Sequence, residues 1–459
     1  MPTPGAGKLK PHWLLPEQPF DSYADYLAQF DGKSPAVEAR KLSPEAVLEQ
    51  VKKSGLRGRG GAGFPSGLKW TTIMSNPCTT RSVICNAAEG EPGTFKDRFM
   101  LRKNPYAGIE GMVIAARTIG TDRIYIAIKK RFEREVGQLR KAIEEMRRAG
   151  TLDGMRVDVV LGPDAYLFGE EKALINVVDG GAPMPREAHY PPYERGLDSS
   201  VASPNPSLVS NLETFARVPG IVSWGADSFR KLGTTSTPGT LLYTVCGDVA
   251  KPGLYEREAG ITLADLFAQA GGPLPGRSFK AMLPGVSARV VRAADFGARA
   301  DFDGLKALGS GVGSSGFIVF DDSRSMAQVA RITTRFLFVE SCSQCISCKV
   351  GLGMTSEALD DLCAGRPGTS DPLTRAMEAV VRAPTNNRCA LPMGATMIVP
   401  SLVKAFPDDF KPGAPEGEPW LLPKLVDYDE KAHAFTYDEH AVLKQPDWTY
   451  SDETAPAQA

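Results

Sequence analysis

The chain has 459 residues, which is enough for two to four domains with sizeable cores. Its 53 Lys and Arg residues nearly balance its 54 Asp and Glu residues, so no charge excess favours nucleic acid or an anionic membrane. The eight cysteines cluster toward one region, which favours metal thiolates in a reducing compartment over a secreted disulfide framework. No run approaches the ~20 apolar residues of a spanning helix, and the N-terminus lacks the apolar core of a signal peptide. We therefore expect a cytoplasmic protein that reaches the inner face of a membrane only through partners.

The predicted elements divide the chain into five segments. Residues 1–42 are rich in Pro, Gly and scattered aromatics and predict an extended N-terminal arm. Residues 43–239 predict an α/β domain, and residues 240–325 predict a small β-grasp-like α+β domain. Residues 326–405 predict a helical domain, and the Pro-rich, acidic residues 406–459 predict an extension that covers the surface or contacts a partner.

The α/β domain is predicted from strands and helices that alternate along the chain. Ser43 and Pro44 predict the start of a helix that ends before Gly55. The predicted strands are 82–85, 123–128 and 156–161, and the helices between and before them are 43–54, 108–119 and 131–149. This alternation is typical of a doubly wound sheet, which binds ligands at the carboxyl ends of its strands.

A glycine-rich run, Gly58 to Trp70, formally contains the pattern G-x-G-x-x-G. Glycines at this density let backbone N–H groups approach a phosphate or a flat ring, and Arg59 and Lys69 favour an anionic ligand. The run follows a predicted helix instead of a strand, so an ordinary Rossmann turn is not expected here. A flexible loop that binds nothing is the alternative.

Two further stretches carry candidate ligand-binding groups. Glu170 and Glu171 lie in the first turn of a predicted helix, where carboxylates either contact a ligand or only complement the helix dipole. The long Pro-rich loop 182–206 carries Tyr190 and Tyr193, which are suited to stacking on a ring, and predicts a binding loop.

The most specific pattern is Cys342-x2-Cys345-x2-Cys348, because three cysteines at this spacing are typical of a [4Fe-4S] cluster completed by a fourth cysteine. Cys389 follows a polar loop and is the better candidate for the fourth ligand. Cys363 lies in a predicted helix, at a spacing that indicates a buried face. A four-cysteine zinc site and unligated thiols are the alternatives.

Four runs in this order resemble the flavin-containing, NADH-oxidising subunit of respiratory complex I and its relatives in NAD-linked hydrogenases and formate dehydrogenases. They are residues 54–70, 85–98, 169–174 and 340–348, the last together with Cys389. The resemblance covers residues from about 40 to 405. It implies an NADH dehydrogenase type of oxidoreductase that carries FMN and a [4Fe-4S] cluster and takes NAD(H) as substrate.

The resemblance also implies roles for single residues. The flavin phosphate would lie near Gly58, Arg59, Gly60, Gly61 and Lys69. Other residues implied around the flavin are Asn86, Glu89, Tyr166, Gly169, Asn211 and Thr214. Phe64, Glu91 and Glu171 would meet NADH, and Glu91, Glu170 and Glu171 are the candidate catalytic carboxylates. Hydride transfer between nicotinamide and flavin needs no protein acid or base, so these carboxylates are expected to position the reactants.

The cluster at Cys342, Cys345, Cys348 and Cys389 would pass single electrons to a further iron–sulfur subunit, of thioredoxin-like [2Fe-2S] or ferredoxin-like type. No cysteine set remains for a second cluster in this chain, because Cys78, Cys85 and Cys246 are not grouped at ligand spacing.

Several positions depart from the family pattern. Ala88 and Gly90 replace an aspartate and a serine of the relatives, and this removes two polar contacts from the flavin side. One alternative is therefore a specialised oxidoreductase subunit outside complex I with FAD in place of FMN. The other is a non-catalytic iron–sulfur or zinc scaffold whose glycine loop binds no flavin.

Overall fold

The computed structural model describes residues 13–187, 190–366 and 370–443. Its helices are α1 (Tyr23–Leu27), α2 (Pro35–Glu38), α3 (Pro44–Ser54), α4 (Ser66–Ser75), α5 (Lys96–Lys103), α6 (Pro105–Ile119), α7 (Glu133–Arg148), α8 (Glu171–Val178), α9 (Leu212–Trp224), α10 (Ala226–Arg230), α11 (Leu263–Gln269), α12 (Phe302–Ala307), α13 (Met326–Val339), α14 (Ile346–Cys363), α15 (Pro372–Arg382) and α16 (Leu391–Ala405). Its strands are β1 (Ser82–Ala87), β2 (Arg123–Lys129), β3 (Arg156–Gly162), β4 (Ser207–Asn211), β5 (Thr240–Gly247), β6 (Gly253–Glu258), β7 (Phe279–Pro284), β8 (Val291–Arg292), β9 (Gly316–Asp321), β10 (Leu425–Asp429) and β11 (Ala434–Tyr437). No described helix is long and apolar enough to cross a bilayer.

The first sheet has the order β3-β2-β1-β4, and all its strands are parallel. Side chains alternate across its central strand: Val83 and Cys85 join one apolar cluster, and Ile84 joins another on the opposite face. A parallel sheet covered on both faces is the expected result of helices that connect successive strands. The prediction of an α/β fold with a parallel sheet is confirmed. In the register of β1 and β4, Asn86 is opposite Asn211, so both strands end at the same edge.

The described part of the predicted N-terminal arm, residues 13–42, contains the short helices α1 and α2 and is not simply extended. Trp13, Tyr23, Tyr26 and Phe30 are buried, and Trp13 meets Trp224 of α9 with ring centroids 5.3 Å apart. The buried carboxylate of Glu110 in α6 accepts hydrogen bonds from Ser34 Oγ and Ala36 N at 2.8 and 2.6 Å. Burial of the aromatics against α6 and α9 explains why this segment folds onto the first unit. Residues 1–12 lie outside the described part.

The second sheet has the order β6-β5-β9-β7-β8, in which only β5 and β9 pair in parallel. One face packs on α11 through Leu263, Leu266 and Phe267. The other face, which includes Cys246, packs against α13 and the helices that follow it. Cys246 is fully buried in this interface, among apolar side chains.

Helices α13 to α16 form a helical unit, as the sequence predicts for the region that carries the cysteines. The tail then contributes β10 and β11, an antiparallel hairpin that the sequence pattern did not predict. Tyr428 and Phe435 pair across this hairpin with ring centroids 4.5 Å apart, and Tyr428 also meets Phe99 of α5 at 5.6 Å. The hairpin is therefore held by aromatic packing against the first unit. Residues 444–459 lie outside the described part.

Candidate functional site

A cavity of about 580 Å³ lies at the edge where β1 and β4 end. Its walls come from the first sheet, from the loops 286–288 and 309–314 of the second unit, and from the start of α16. The structure brings nine of the predicted residues to this cavity: Gly60, Gly61, Asn86, Glu89, Glu91, Tyr166, Gly169, Glu170 and Asn211. Ligand cavities of 300–1,000 Å³ are typical for small molecules and cofactors.

Three other predicted residues shape the glycine loop without lining the cavity. The N–H of Gly58 donates to the carbonyl of Phe64 at 2.8 Å and closes the loop. The N–H of Arg59 donates to Thr214 Oγ1 at 2.9 Å, so Thr214 anchors the loop to α9. The Arg59 guanidinium is 1% exposed and donates to the carbonyl of Pro238, away from the cavity. Arg59 and Thr214 thus act here as supports for the loop.

The remaining predicted residues form a second cluster. Lys69 Nζ lies 2.7 Å from Glu171 Oε1 and 2.9 Å from the carbonyl of Val209. The ammonium group is also 5.9 Å from the ring of Phe64, which stacks on Tyr193 at 6.0 Å between centroids. Tyr193 comes from the predicted binding loop, so this loop and the glycine loop meet here.

The cavity carboxylates have different partners. Glu91 accepts from Tyr166 Oη at 2.6 Å and from Val286 N at 2.7 Å, and burial raises the pKa of this carboxyl. Glu89 pairs with Arg98 at 2.9 Å. Glu170 caps α8 by accepting from the N–H groups of Lys172 and Ala173. Among these three glutamates, only Glu91 has described hydrogen-bond partners that all line the cavity.

A buried charged group beside the cavity was missed as a candidate, although it lies within the matching run 85–98. Lys96 is fully buried, and its Nζ lies 2.8 Å from Asp97, 2.9 Å from Asn211 and 3.1 Å from Glu213. Asp97 lines the cavity and accepts from Asn211 Nδ2 at 2.6 Å. Burial raises the pKa of Asp97 to about 6, although the Lys96 ammonium opposes this shift. In the sequence, Lys96 and Asp97 are only neighbours in the run Gly-Thr-Phe-Lys-Asp, and this pattern does not predict the network.

The four predicted cluster cysteines, Cys342, Cys345, Cys348 and Cys389, line one small pocket. Cys345 is the N-cap of α14, and Cys348 lies buried in its first turn. The N–H of Arg388 donates to Cys345 Sγ at 3.4 Å, which brings the loop before Cys389 against the first three cysteines. Cys363 is at the other end of α14, roughly 22 Å from Cys348 at 1.5 Å per residue. The geometry therefore groups Cys389, and not Cys363, with the other three.

The cavity and the cysteine pocket share part of their walls, because Leu167 and Leu391 line both. Beside this shared wall, Ala390 lines the cavity, and its chain neighbour Cys389 lines the cysteine pocket. A ligand in the cavity and a cluster on the four cysteines would thus be separated by little more than one layer of side chains.

Three family models match the chain. They describe the Nuo51 FMN-binding domain (residues 51–220), the SLBB domain (242–282) and the NADH-ubiquinone oxidoreductase-F iron-sulfur binding region (328–413). An NADH-quinone oxidoreductase subunit of Rhizobium meliloti is 38% identical over 381 residues, which are 81% of this chain and 89% of that protein. The chain belongs to the family of NADH-quinone oxidoreductase subunits that bind FMN and a [4Fe-4S] cluster.

Other relatives are named for different complexes. The NADP-reducing hydrogenase subunit HndC of Solidesulfovibrio fructosivorans is 34% identical, over 76% of this chain and 72% of that protein. A crystal structure of an NAD+-reducing [NiFe]-hydrogenase in the H2-reduced state superposes with a TM-score of 0.75 and 32% identity. That match covers 84% of this chain and 65% of the hydrogenase chain.

As a member of this family, the chain is an NADH dehydrogenase type of oxidoreductase with FMN and a [4Fe-4S] cluster. The predicted family, activity and cofactors are confirmed, and the alternatives of a zinc site and a non-catalytic scaffold are not supported. The chemistry of the residues present suits both groups. Small residues such as Gly60, Gly61 and Gly169 leave the cavity open for a flat ring, and four thiols line the second pocket.

Proposed function

We propose that the cavity at the edge of the first sheet is where NADH and FMN meet, and that electrons leave it through the cluster on Cys342, Cys345, Cys348 and Cys389. The shared wall of Leu167 and Leu391 is the observation that carries this proposal. When bound, FMN accepts a hydride and releases its electrons one at a time. The protein's part is to bind, orient and exclude water.

In this proposal the side chains divide into two groups. Asn86, Tyr166 and Asn211 hold the flavin, with Glu91 fixed beside them by Tyr166 and Val286. Phe64, Lys69, Glu171 and Tyr193 receive the dinucleotide, because aromatic rings and a balanced ion pair are grouped there. Asn86 donates to the carbonyl of Gly169 at 2.8 Å and thereby joins the strand β1 to the segment before α8.

We propose that the first sheet is Rossmann-like with an atypical connection and that the second sheet is a β-grasp. The first has a glycine loop that follows helix α3 instead of a strand. The second places its first and last strands, β5 and β9, side by side and parallel at the centre, with helix α11 after the first hairpin. The predicted boundaries at residues 42, 239, 325 and 405 remain predictions.

A partner that accepts or supplies single electrons is proposed to dock beside the cluster. Helix α14 begins at the cysteine loop and exposes Ile346, Val350 and Met354, which recur every four residues on one side and are 81%, 52% and 54% exposed. Val381 of the neighbouring α15 is 56% exposed. An apolar helix face that begins at a redox centre is suited to contact with an iron–sulfur subunit. The relatives are themselves named as subunits.

The test is an anaerobic titration of the purified chain with NADH, followed by visible and electron paramagnetic resonance spectroscopy. We expect bleaching of the flavin absorbance and appearance of the signal of a reduced cluster. A chain that contains flavin and iron but shows neither change with NADH would contradict the proposed electron path.

A further inference from the structure

Residues 89–91 of the cavity wall also line a second, much smaller pocket. Its volume of about 10 Å³ leaves room for roughly one water molecule, so it is not a ligand site. The charged side chains that line it are Glu89, Glu91, Arg98, Lys129, Arg131, Asp164 and Lys424. Residues 89–91 are thus a wall that the cavity shares with a group of charged side chains.

Most charges of the small pocket are paired with one another. Glu89 pairs with Arg98 at 2.9 Å, and Asp164 pairs with Lys129 at 2.9 Å. Arg131 also pairs with Asp164. In the described part of the chain, one carboxylate and one ammonium of this pocket remain outside these ion pairs.

These two groups are Glu91 and Lys424, and Gly90 connects them. Lys424 Nζ donates to the carbonyl of Gly90 at 3.3 Å, and Gly90 is the chain neighbour of Glu91. Burial raises the pKa of Glu91, and the charge of Lys424 opposes this rise. The other described donors to the Glu91 carboxylate are the hydroxyl of Tyr166 and the N–H of Val286. Lys424 is therefore the cation of this pocket that is free to balance Glu91.

The tail holds Lys424 in place on both sides. The N–H of Gly93 donates to the carbonyl of Pro423 at 2.7 Å. The Arg98 guanidinium donates to the carbonyl of Leu425, also at 2.7 Å. Lys424 itself is only 8% exposed. An uncharged side chain could be buried here at a lower cost, so the charge indicates a role beyond packing.

We propose that Lys424 is a positioning residue that acts through Glu91. Its buried ammonium holds the backbone at Gly90 and balances the charge of Glu91 at the wall where the dinucleotide meets the flavin. None of the four runs that carry the family resemblance includes Lys424, so the resemblance assigns it no role. The inference rests on the proposed function, since it assumes that Glu91 faces a bound dinucleotide. The C-terminal tail then contributes to the reaction site.

The experiment measures the dissociation constant for NAD+ by calorimetry between pH 5 and pH 8. It uses the oxidised, flavin-loaded chain, so that no hydride is transferred. Lys424→Met keeps the length of the side chain and removes its charge. We expect it to weaken NAD+ binding about tenfold, the scale of one charge-assisted contact. Without the cation the pKa of Glu91 rises further, so the loss of affinity on acidification should begin at a higher pH than in the wild type.

Three further variants separate charge from packing. Lys424→Arg keeps the positive charge and should bind NAD+ with close to the wild-type affinity. Lys431→Gln removes an exposed lysine of the same tail and is the matched control. Glu91→Gln should weaken NAD+ binding and lose the pH dependence, and adding Lys424→Met to it should have little further effect. Flavin content and thermal unfolding midpoints show whether each variant keeps its fold.

Three results would overturn the proposal. An unchanged affinity in Lys424→Met would show that the charge has no role. Equal losses in Lys424→Met and Lys424→Arg would show that packing is the cause. A full additional loss when Lys424→Met is combined with Glu91→Gln would show that Lys424 does not act through Glu91. A wild-type chain that holds flavin but binds no NAD+ would instead refute the proposed function itself.

Discussion

Cys389 and Cys363 differ in position although both follow the three-cysteine run. Cys389 shares a pocket with Cys342, Cys345 and Cys348, and Cys363 ends the helix that Cys345 begins. We predict that Cys389→Ser loses most of the cluster and that Cys363→Ser keeps it. Iron content per chain and the signal of the reduced cluster measure both. Equal iron loss in the two variants would reject the ligand assignment.

Glu171 pairs with Lys69 next to the stacked rings of Phe64 and Tyr193. We predict that Glu171→Gln raises the KM for NADH severalfold and leaves the flavin content unchanged, because Glu171 does not line the cavity. Glu49→Gln, which makes the same charge change at an exposed position of α3, is the control. An unchanged KM would leave Glu171 with a helix-dipole role alone.

Asp164 joins Lys129 and Arg131 near the strand ends, with Lys129 Nζ at 2.9 Å. Burial by itself raises the pKa of Asp164, but Lys129, Lys424 and Arg131 outweigh it and hold this pKa well below its usual range. A carboxyl group with a lowered pKa stabilises the fold above the pKa of the unfolded chain, about 3.9, and this contribution is lost as the pH falls below that value.

We therefore predict that Asp164→Asn lowers stability by on the order of 3 kcal/mol near neutral pH and flattens the acid side of the stability profile. Thermal unfolding midpoints between pH 3 and pH 7 measure both effects. Parallel profiles for the variant and the wild type would show that Asp164 does not contribute to the acid sensitivity.

At the scale of elements, the hairpin β10–β11 holds the segment that carries the cavity residues 90–97. The N–H of Gly93 donates to the carbonyl of Pro423 at 2.7 Å, and Arg102 of α5 pairs with Asp427 at 2.6 Å. Tyr428 packs its ring on Phe99 and Phe435. Loss of the hairpin should thus loosen the cavity wall as well as the tail.

We predict that Tyr428→Ala costs about 3 kcal/mol of stability and speeds flavin loss. Tyr428→Phe is the matched control. Its hydroxyl makes only long contacts, 3.3 Å to the carbonyl of Pro252 and 3.4 Å to His433, so its removal should cost under ~1 kcal/mol. Thermal midpoints and flavin release rates are the measurements, and equal losses in both variants would show that packing is not the cause.

At the scale of the whole molecule, the described part of the chain provides a cluster pocket and an exposed apolar side on α14. We predict that the protein copurifies with a further iron–sulfur protein and that Val350→Glu breaks this association without loss of iron. Val201→Glu, at an exposed loop position, is the control. Iron content and subunit composition after affinity purification are the readouts. A Val350→Glu variant that keeps its partner would move the docking site elsewhere.

Much of the architecture could be predicted because the signals are local. The Ser43 cap, Pro44 and the positive φ of Gly55 bound α3 as expected, since each acts within one helical turn. The hairpin β10–β11 and the fold of residues 13–42 were not predicted, because they depend on aromatic contacts with α5, α6 and α9 that are distant in sequence. The same holds for the buried Lys96, whose partners Asn211 and Glu213 are distant in sequence.

The sequence by itself determined the chemistry of this protein. Cysteines separated by two residues, glycines in a dense run and paired glutamates are short patterns, and the spacing of their groups is set by the backbone over a few residues. Only the tertiary structure decided which of these groups share a site. It turned the Arg59 guanidinium away from the cavity, paired Lys69 with Glu171, placed Cys389 with the first three cysteines, and set Leu167 and Leu391 between the two pockets. These outcomes follow from packing among segments that are far apart in sequence, such as those of Arg59 and Pro238, 179 residues apart, which no local pattern encodes.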